Sequence, residues 1–318
     1  MPMTRETRPR LSLAEVFGLR PVGVRLAQAR MAVRGDAVVP KTRWGLSSLR
    51  ILKPRMALPI WLGMRRPDRR VPIYTLFNRT PTPVEEGWSV RVTQVRDFRG
   101  GRLSYDSHNG TDFAVPVGTL VAASANGRVV RVSNEFHRGG LKIFIDHGGA
   151  IVTSYNHLGR ALVEQGDRVV RGQVIALSGA SGIDNVLFFP WTAPHVHYNV
   201  FLDGLHVDPY AVRGETSLWL GGEPLPAGSD TGPELAPAAH DEPNLLRMVE
   251  TCRSADLARR LRAMEDMEEL GAELLFQTTY FPTRFAERLP LYRERHPRRE
   301  ILSLPFLGED FVGAHLPD

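Results

Sequence analysis

Residues 194–201 have the sequence Pro-His-Val-His-Tyr-Asn-Val-Phe, and this stretch decides the fold. Its β-branched and aromatic residues are typical of a strand bounded by a turn. On a strand, residues i and i+2 face the same side of the sheet, so His195 and His197 are predicted to project together. Two imidazole rings on one side of a strand can serve as metal ligands.

A second stretch, His108-Asn109-Gly110-Thr111-Asp112, supplies two more candidate ligands. His108 and Asp112 are four residues apart, so they project together from one turn of helix or from one folded loop. Zinc accepts imidazole nitrogen and carboxylate oxygen, and a catalytic zinc site uses three protein ligands and leaves a fourth position open for water. Four candidates are present, so one histidine remains for acid–base work.

The region around both stretches, residues 103–210, is a series of short β-branched runs separated by glycine turns. This pattern predicts a mainly β fold, an antiparallel β-sandwich or barrel. Shorter apolar-polar alternations at residues 71–76 and 88–92 also favour strands. The strands predicted within the region are residues 119–124, 127–132, 141–146, 151–155, 173–177 and 195–201.

Changes in composition divide the chain into four predicted segments. Residues 1–70 are predicted to be a basic N-terminal arm of low order, with one short helix near residues 12–17. The β domain occupies residues 71–220, and residues 221–240, rich in Gly, Pro and Ala, form a flexible linker. Residues 241–318 are predicted to be a helical C-terminal region, because apolar residues there recur with helical spacing.

Positive charge is concentrated at the start of the chain. Residues 1–102 contain 21 Lys and Arg against 7 Asp and Glu, whereas the remainder has a net charge of −9. Such a segment attracts anionic polymers, among them cell-wall polymers, acidic lipid headgroups and nucleic acid. Nucleic acid is disfavoured because no base-reading motif accompanies the arginines. A solvated basic extension is the alternative.

The sequence contains few features that indicate a cellular compartment. The single cysteine, Cys252, excludes an internal disulfide. The N-terminus shows no secretory signal peptide, which favours the cytoplasm, and no apolar run is long enough for a transmembrane segment.

Taken in chain order, the motifs of this sequence resemble those of the lysostaphin/LytM-type zinc metallopeptidases, which cut peptides of bacterial peptidoglycan. The resemblance covers about residues 103–210 and rests on four segments: HNGTDFAVPVGTLVAASANGRVV, DHGGAIVTSYNHL, QGDRVVRGQVIALSGASG and PHVHYNVFLDGLHVDPY. It implies a duplicated hybrid motif of antiparallel strands and a zinc-dependent endopeptidase with peptidoglycan peptides as substrate. It also implies a periplasmic or cell-envelope location, which the missing signal peptide does not support.

The resemblance assigns roles to five residues. His108, Asp112 and His197 match the zinc ligands, and His157 and His195 match the two histidines that assist attack by a zinc-activated water. Tyr105 is a further candidate for stabilising the oxyanion, and Asn156 and Tyr155 for orienting the site.

Two stretches depart from the family pattern. Asn199 stands where many relatives carry Glu, so a carboxylate that orients a ligand histidine is missing. Residues 183–193 replace a shorter polar loop, and their aromatic side chains are expected to form a wall or lid of the cleft, or to pack on the C-terminal helices.

Two other functions remain open, and a third is disfavoured. The first is a zinc-binding regulator of cell-wall hydrolysis without catalytic activity. The second is a phosphohistidine carrier domain of similar β fold, which would not need Asp112 in register with His108. A biotinyl or lipoyl carrier is disfavoured because the carrier lysine is absent from the turn at residues 125–127.

Overall fold

The computed structural model describes residues 10–83, 87–228 and 232–317. The first nine residues of the predicted arm, residues 229–231 of the predicted linker, residues 84–86 and the last residue of the predicted helical region lie outside this described part.

The described residues form eleven strands. They are β1 (Arg70–Thr75), β2 (Thr111–Ala114), β3 (Leu120–Ala122), β4 (Gly127–Glu135), β5 (Gly140–Asp146), β6 (Ile151–Ala161), β7 (Arg168–Val169), β8 (Val174–Ser178), β9 (His195–Leu202), β10 (Leu205–Val207) and β11 (Gly313–His315). They join in one mixed sheet in the order β11-β1-β2-β9-β6-β5-β4-β7, with β10 beside β9, and β8 between β6 and β3. Among these strand pairs of the described residues, only β1 and β11 run parallel.

Seven α-helices accompany these strands in the described ranges. They are α1 (Leu13–Val16), α2 (Val22–Arg34), α3 (Pro54–Trp61), α4 (Ile183–Leu187), α5 (Glu242–Glu250), α6 (Ala255–Arg262) and α7 (Met267–Tyr280). None of these helices has the length and apolar character needed to cross a membrane.

The mainly β fold predicted from the sequence is confirmed, and each of the six predicted strands of residues 103–210 has a counterpart in the sheet. Residues 88–92 differ from the prediction, because only Ser89 makes a bridge there, with Arg43. The barrel or sandwich arrangement and the domain boundaries stay predictions.

The predicted arm is more regular than its sequence pattern indicated. The short helix near residues 12–17 is present as α1, capped by the Ser12 side chain, and α2, α3 and a 3-10 turn at Leu46–Ile51 follow it. Residues of α2 such as Ala, Arg, Gln and Met have high helix propensity but no continuous apolar face. A prediction based on apolar periodicity therefore missed this helix.

Alternation along β9 divides its side chains between two environments. Val196, Tyr198 and Val200 enter one apolar core on the inner face of the sheet. Phe201 lies on the opposite face, where Phe144 of β5 and the helices α5 to α7 form a second core. His195 and His197 share that opposite face, so the C-terminal helices close the sheet beside them.

The C-terminal tail is the main departure from the predicted helical region. Helix α7 ends at Tyr280, and the remaining chain to residue 317 has a 3-10 turn at Pro282–Arg284 and one short strand, β11. Leu302, Leu304 and Phe306 nevertheless enter the inner core with the sheet residues. Pro305 accepts a hydrogen bond from Ala122 N at 3.0 Å. The helical prediction therefore applies to Glu242–Tyr280 only, because the tail buries apolar side chains without regular hydrogen bonding.

Replacing Phe306 with alanine tests whether the tail belongs to the folding unit of the sheet. The side chain is 1% exposed, and its ring lies 5.9 Å from that of Phe113. We expect Phe306→Ala to lower the free energy of unfolding by about 3–5 kcal/mol in urea denaturation. Leu246→Ala, at a half-exposed position of α5, is the control, with a change within about 0.5 kcal/mol. Equal effects of the two substitutions would show that the tail is dispensable.

Candidate metal centre

The register between β2 and β9 brings two of the predicted ligands together. Asp112 lies directly opposite His197 in this antiparallel pair, and Ala114 lies opposite His195. Directly opposed residues of a ladder have Cβ atoms about 4.5–5.5 Å apart on the same face. The carboxylate of Asp112 therefore reaches the His197 ring, and its Oδ1 lies 2.7 Å from Nδ1.

His108 completes this group from the loop before β2. Its Nδ1 lies 2.7 Å from the carbonyl oxygen of Leu76, so a neutral ring donates from Nδ1 and keeps a lone pair on Nε2. Nε2 lies 3.0 Å from Asp112 Oδ2 and 3.2 Å from His197 Nδ1. The sequence left open whether these residues project from a helix or a loop, and the structure shows a loop leading into a strand.

The three donor atoms fit a tetrahedral zinc ion. They all lie within 4.8 Å of one another. Bonds of 2.0–2.2 Å at tetrahedral angles place neighbouring ligand atoms about 3.3 Å apart, close to the observed separations. Two imidazole nitrogens and one carboxylate also have the chemistry that zinc selects. The residues present can therefore hold the ion and leave one position open.

Charge in this group is focused on Asp112, which is buried. Burial alone would raise the pKa of Asp112, but the neighbouring His108, His195 and His197 outweigh it and hold the pKa well below its usual range. The carboxylate is therefore anionic at neutral pH. Burial also lowers the pKa of His197 in spite of its hydrogen bond to Asp112, which favours the neutral ring that a metal requires.

Glycine is required at position 110 because the loop backbone approaches β9 closely there. A Cβ atom at this position would lie 2.6 Å from the Tyr198 carbonyl oxygen and 2.9 Å from His197 Nε2. No side chain fits there without moving β9. The glycine of the HNGTD stretch thus lets the loop that carries His108 lie flat against the strand that carries His197.

His157 and His195, the two predicted non-ligand histidines, lie together beside this group. Their ring centroids are 4.8 Å apart. His195 Nδ1 is 2.8 Å from the Ala193 carbonyl, and His157 Nδ1 is 2.7 Å from the Ser181 carbonyl. In a neutral ring each donates from Nδ1, so each leaves Nε2 as an acceptor.

Both free nitrogens lie near a carboxylate. His195 Nε2 is 3.7 Å from Asp112 Oδ1, and His157 Nε2 is 3.7 Å from Asp184 Oδ2. Burial lowers the pKa of His157 to about 4, although the charge of Asp184 opposes this. His157 has a φ of +60°, a left-handed conformation that is uncommon for a residue with a side chain.

The further candidates predicted to orient the site or to stabilise the oxyanion differ in their positions. Asn156 lies opposite His197 on β6 and its Nδ2 donates to Asn199 Oδ1 at 2.8 Å. Tyr155 faces the inner core, where its ring lies 5.3 Å from that of Tyr198, so it does not orient the site. The Tyr105 ring is 4.6 Å from the His108 ring, at the cleft wall.

Asn199 occupies the position expected to lack an orienting carboxylate. Its Nδ2 lies 2.9 Å from His197 Nε2 and donates to the Asn109 carbonyl at 2.8 Å. Ligation through Nδ1 requires a proton on Nε2. The available acceptor is then Asn109 Oδ1, which is 3.2 Å from Nε2.

Helix α7 contributes a residue that the sequence did not indicate. The Tyr280 hydroxyl donates to Asn199 Oδ1 at 2.8 Å, so the C-terminal helices help to fix the amide next to His197. Lys53, which precedes α3, is a second such residue. Burial lowers the pKa of Lys53 to about 8, against the opposing pull of the negative Asp112. Neither residue lies in a motif that sequence spacing could reveal.

A cleft opens beside the group and is lined by Asp112, His195 and His197. Phe188 of the aromatic loop 183–193 lines it, with its ring 5.3 Å from that of Trp44. Phe189 packs against Trp61 of α3 at 4.8 Å. The loop therefore forms a wall of the cleft as predicted, but it packs on the N-terminal helices rather than on the C-terminal ones.

Comparison with known proteins identifies the domain that holds this site. Residues 106–209 match the model of peptidase family M23. Residues 106–209 are an M23 peptidase domain. This family consists of zinc metallopeptidases, and the match contains all five candidate site residues.

Two curated relatives and one solved structure illustrate the similarity of the M23 domain. Peptidoglycan DD-endopeptidase ShyA of Vibrio cholerae serotype O1 is 43% identical over 101 residues, which are 32% of this chain and 22% of ShyA. Glycyl-glycine endopeptidase ALE-1 of Staphylococcus capitis is 35% identical over 108 residues, 32% of this chain and 28% of ALE-1. The catalytic domain of lysostaphin from Staphylococcus simulans is 32% identical, with a TM-score of 0.29, over 33% of this chain and 77% of that domain. The chain thus spans less than a third of the length of these two curated relatives.

Metal analysis tests the ligand group. We expect the purified protein to bind one zinc per chain, and Asp112→Asn and His197→Ala to lose it, because each removes one of three donors. His315→Gln, at a histidine of β11 outside the group, is the control and should retain full occupancy. Elemental analysis after dialysis measures the stoichiometry. Absence of zinc from the wild type after equilibration with the ion would contradict the assignment.

Proposed function

We propose that the chain is a zinc-dependent endopeptidase that hydrolyses peptide cross-links or stem peptides of peptidoglycan. The observation that carries the proposal is the grouping of three metal-binding side chains with two anchored histidines along one cleft. The names of ShyA and ALE-1, which are both endopeptidases, support the reaction, and the name of ShyA supports the substrate.

In this proposal His108, Asp112 and His197 hold the zinc ion. When bound, zinc supplies Lewis acidity that polarises the scissile carbonyl and lowers the pKa of a water molecule. Asp112 brings the negative charge that offsets part of the charge of the ion. The hydrogen bond from His108 Nδ1 to Leu76 fixes the ring so that Nε2 is the ligand atom.

His157 and His195 move protons. Each neutral ring has Nδ1 tied to a backbone carbonyl and Nε2 free in the cleft. A free Nε2 can accept the proton of the attacking water, and the imidazolium that results can donate it to the leaving amine. The charged ring also stabilises the oxyanion of the tetrahedral intermediate. The Tyr105 hydroxyl is a further donor on the same wall.

In this proposal the cleft binds an extended peptide. Its walls come from the N-terminal segment, the aromatic loop and Tyr280 of α7. Aromatic side chains line it together with Asp112, His197 and the two histidines. An endopeptidase needs an open cleft that binds residues on both sides of the scissile bond, which agrees with this arrangement.

Digestion of purified peptidoglycan tests the activity. The wild type should release new amino termini, and a chelator should abolish the release. His157→Ala and His195→Ala should each lower the rate by about 10²–10⁴-fold, the usual contribution of a general acid or base. His147→Asn, at a buried histidine outside the cleft, serves as the matched control. A wild type no faster than these two variants would favour the regulator without catalytic activity.

We also propose that the protein acts in the cell envelope and that its basic segment, residues 1–102, holds it to an anionic polymer there. The excess of arginine in this segment and the location of peptidoglycan support this. Fractionation of cells that express the full chain should place it with the envelope. A rise from about 0.1 M to about 1 M salt should release it, since the Debye length falls from about 10 to 3 Å. Recovery with cytosolic markers alone would contradict the proposal.

A further inference from the structure

Arg138 lies in the turn between β4 and β5 and lines the same cleft as the metal-binding group. Its side chain is 9% exposed. The guanidinium carbon lies 5.2 Å from the centre of the Trp88 ring, and Nη1 lies 3.5 Å from Thr42 Oγ1. Both of these neighbours also line the cleft, so the guanidinium is part of the wall that a bound peptide meets.

This buried cation forms no ion pair with any described residue. Within the described part of the chain no carboxylate pairs with Arg138, and its Nε has no hydrogen-bond partner. Burial lowers the pKa of Arg138 to about 10, although Tyr105 and Asp184 oppose this, so the group is still charged at neutral pH. A buried charge is costly unless it is paired.

The turn that carries Arg138 is held rigidly. Lys142, which is fully buried, donates from Nζ to the Arg138 carbonyl and lies 2.8 Å from Glu135 Oε2. The Arg138 amide donates to the Glu135 carbonyl at 3.0 Å, and the Gly139 carbonyl accepts from His157 N at 2.9 Å. The same turn therefore fixes both the guanidinium and the backbone of a proposed catalytic histidine.

We propose that Arg138 binds a free carboxylate of the peptide substrate and so selects peptides that carry one near the scissile bond. The guanidinium presents a planar fork of N–H donors that matches a carboxylate, and a carboxylate from the substrate supplies the ion-pair partner that none of the described residues provides. This inference rests on the proposed endopeptidase function and adds a specificity residue to it.

A single extended peptide can span the distance from Arg138 to the metal-binding group. Trp88 connects the guanidinium to Tyr105 at 6.3 Å between ring centroids, and Tyr105 lies 4.6 Å from His108. An extended chain covers about 3.3–3.6 Å per residue. The carboxylate recognised by Arg138 therefore lies within about five residues of the bond that is cut.

Paired substrates test the inference. One peptide fragment of peptidoglycan keeps its free carboxyl groups, and its partner has them converted to amides. We expect the wild-type, zinc-loaded protein to prefer the free carboxylate by at least about tenfold in kcat/KM, as hydrogen bonds to charged groups provide. Arg138→Gln should bring this ratio close to one. Arg138→Lys should give an intermediate ratio, because it keeps the charge but loses the fork.

Arg128→Gln, on the exposed part of β4, is the control and should keep the wild-type ratio. Thermal melts show whether each variant folds, and the ratio is unaffected by a uniform loss of active protein. A wild type that treats both peptides alike, or an Arg138→Gln variant that keeps the preference, would overturn the inference.

Binding of the same two peptides, labelled and followed by fluorescence anisotropy, separates this inference from the proposed function. If neither peptide is cut but the wild type binds the carboxylate form at least about tenfold more tightly and Arg138→Gln does not, the endopeptidase function fails and the subsite stands. If both are cut with equal preference by all variants, the function stands and the subsite fails.

Discussion

The antiparallel pairing of β2 with β9 places Asp112 directly opposite His197, and the rest of the site is arranged around that pair. A shift of one residue in this register would turn the carboxylate to the other face of the sheet. Gly110 permits the register because its missing side chain lets the preceding loop lie against β9. His108 then reaches the same point from that loop. A single ladder contact thus joins donor atoms from two stretches of sequence that are 85 positions apart.

The two faces of β9 explain how a polar site can be stable in this fold. Val196, Tyr198 and Val200 bury one face in the inner core, which the C-terminal tail helps to fill. The opposite face carries the histidines, and the helices α5 to α7 cover the sheet next to them. Since Tyr280 donates to Asn199, which in turn lies against His197, the helical region supports the site as well as the fold. The cleft is therefore built from segments on both sides of the M23 domain.

The sequence predicted the parts of the site that depend on local spacing. The alternation of His195 and His197, and the HNGTD stretch, pointed to residues that the structure brings close together. Other features depend on contacts between distant residues, such as Asn156 and Tyr280, which are 124 positions apart. No local pattern encodes such a contact, and the same holds for the position of Arg138 in the cleft wall. Helix α2 was missed because it has no apolar stripe, and the buried tail because its apolar residues follow no period.

The division of five clustered residues into three ligands and two proton carriers is the central claim. Anomalous diffraction at the zinc absorption edge, from crystals grown with zinc, measures it directly. We expect one peak at about 2.0–2.2 Å from His108 Nε2, an Asp112 carboxylate oxygen and His197 Nδ1, with His157 and His195 outside bonding distance. A peak bonded to His157 or His195, or one located elsewhere in the chain, would contradict it.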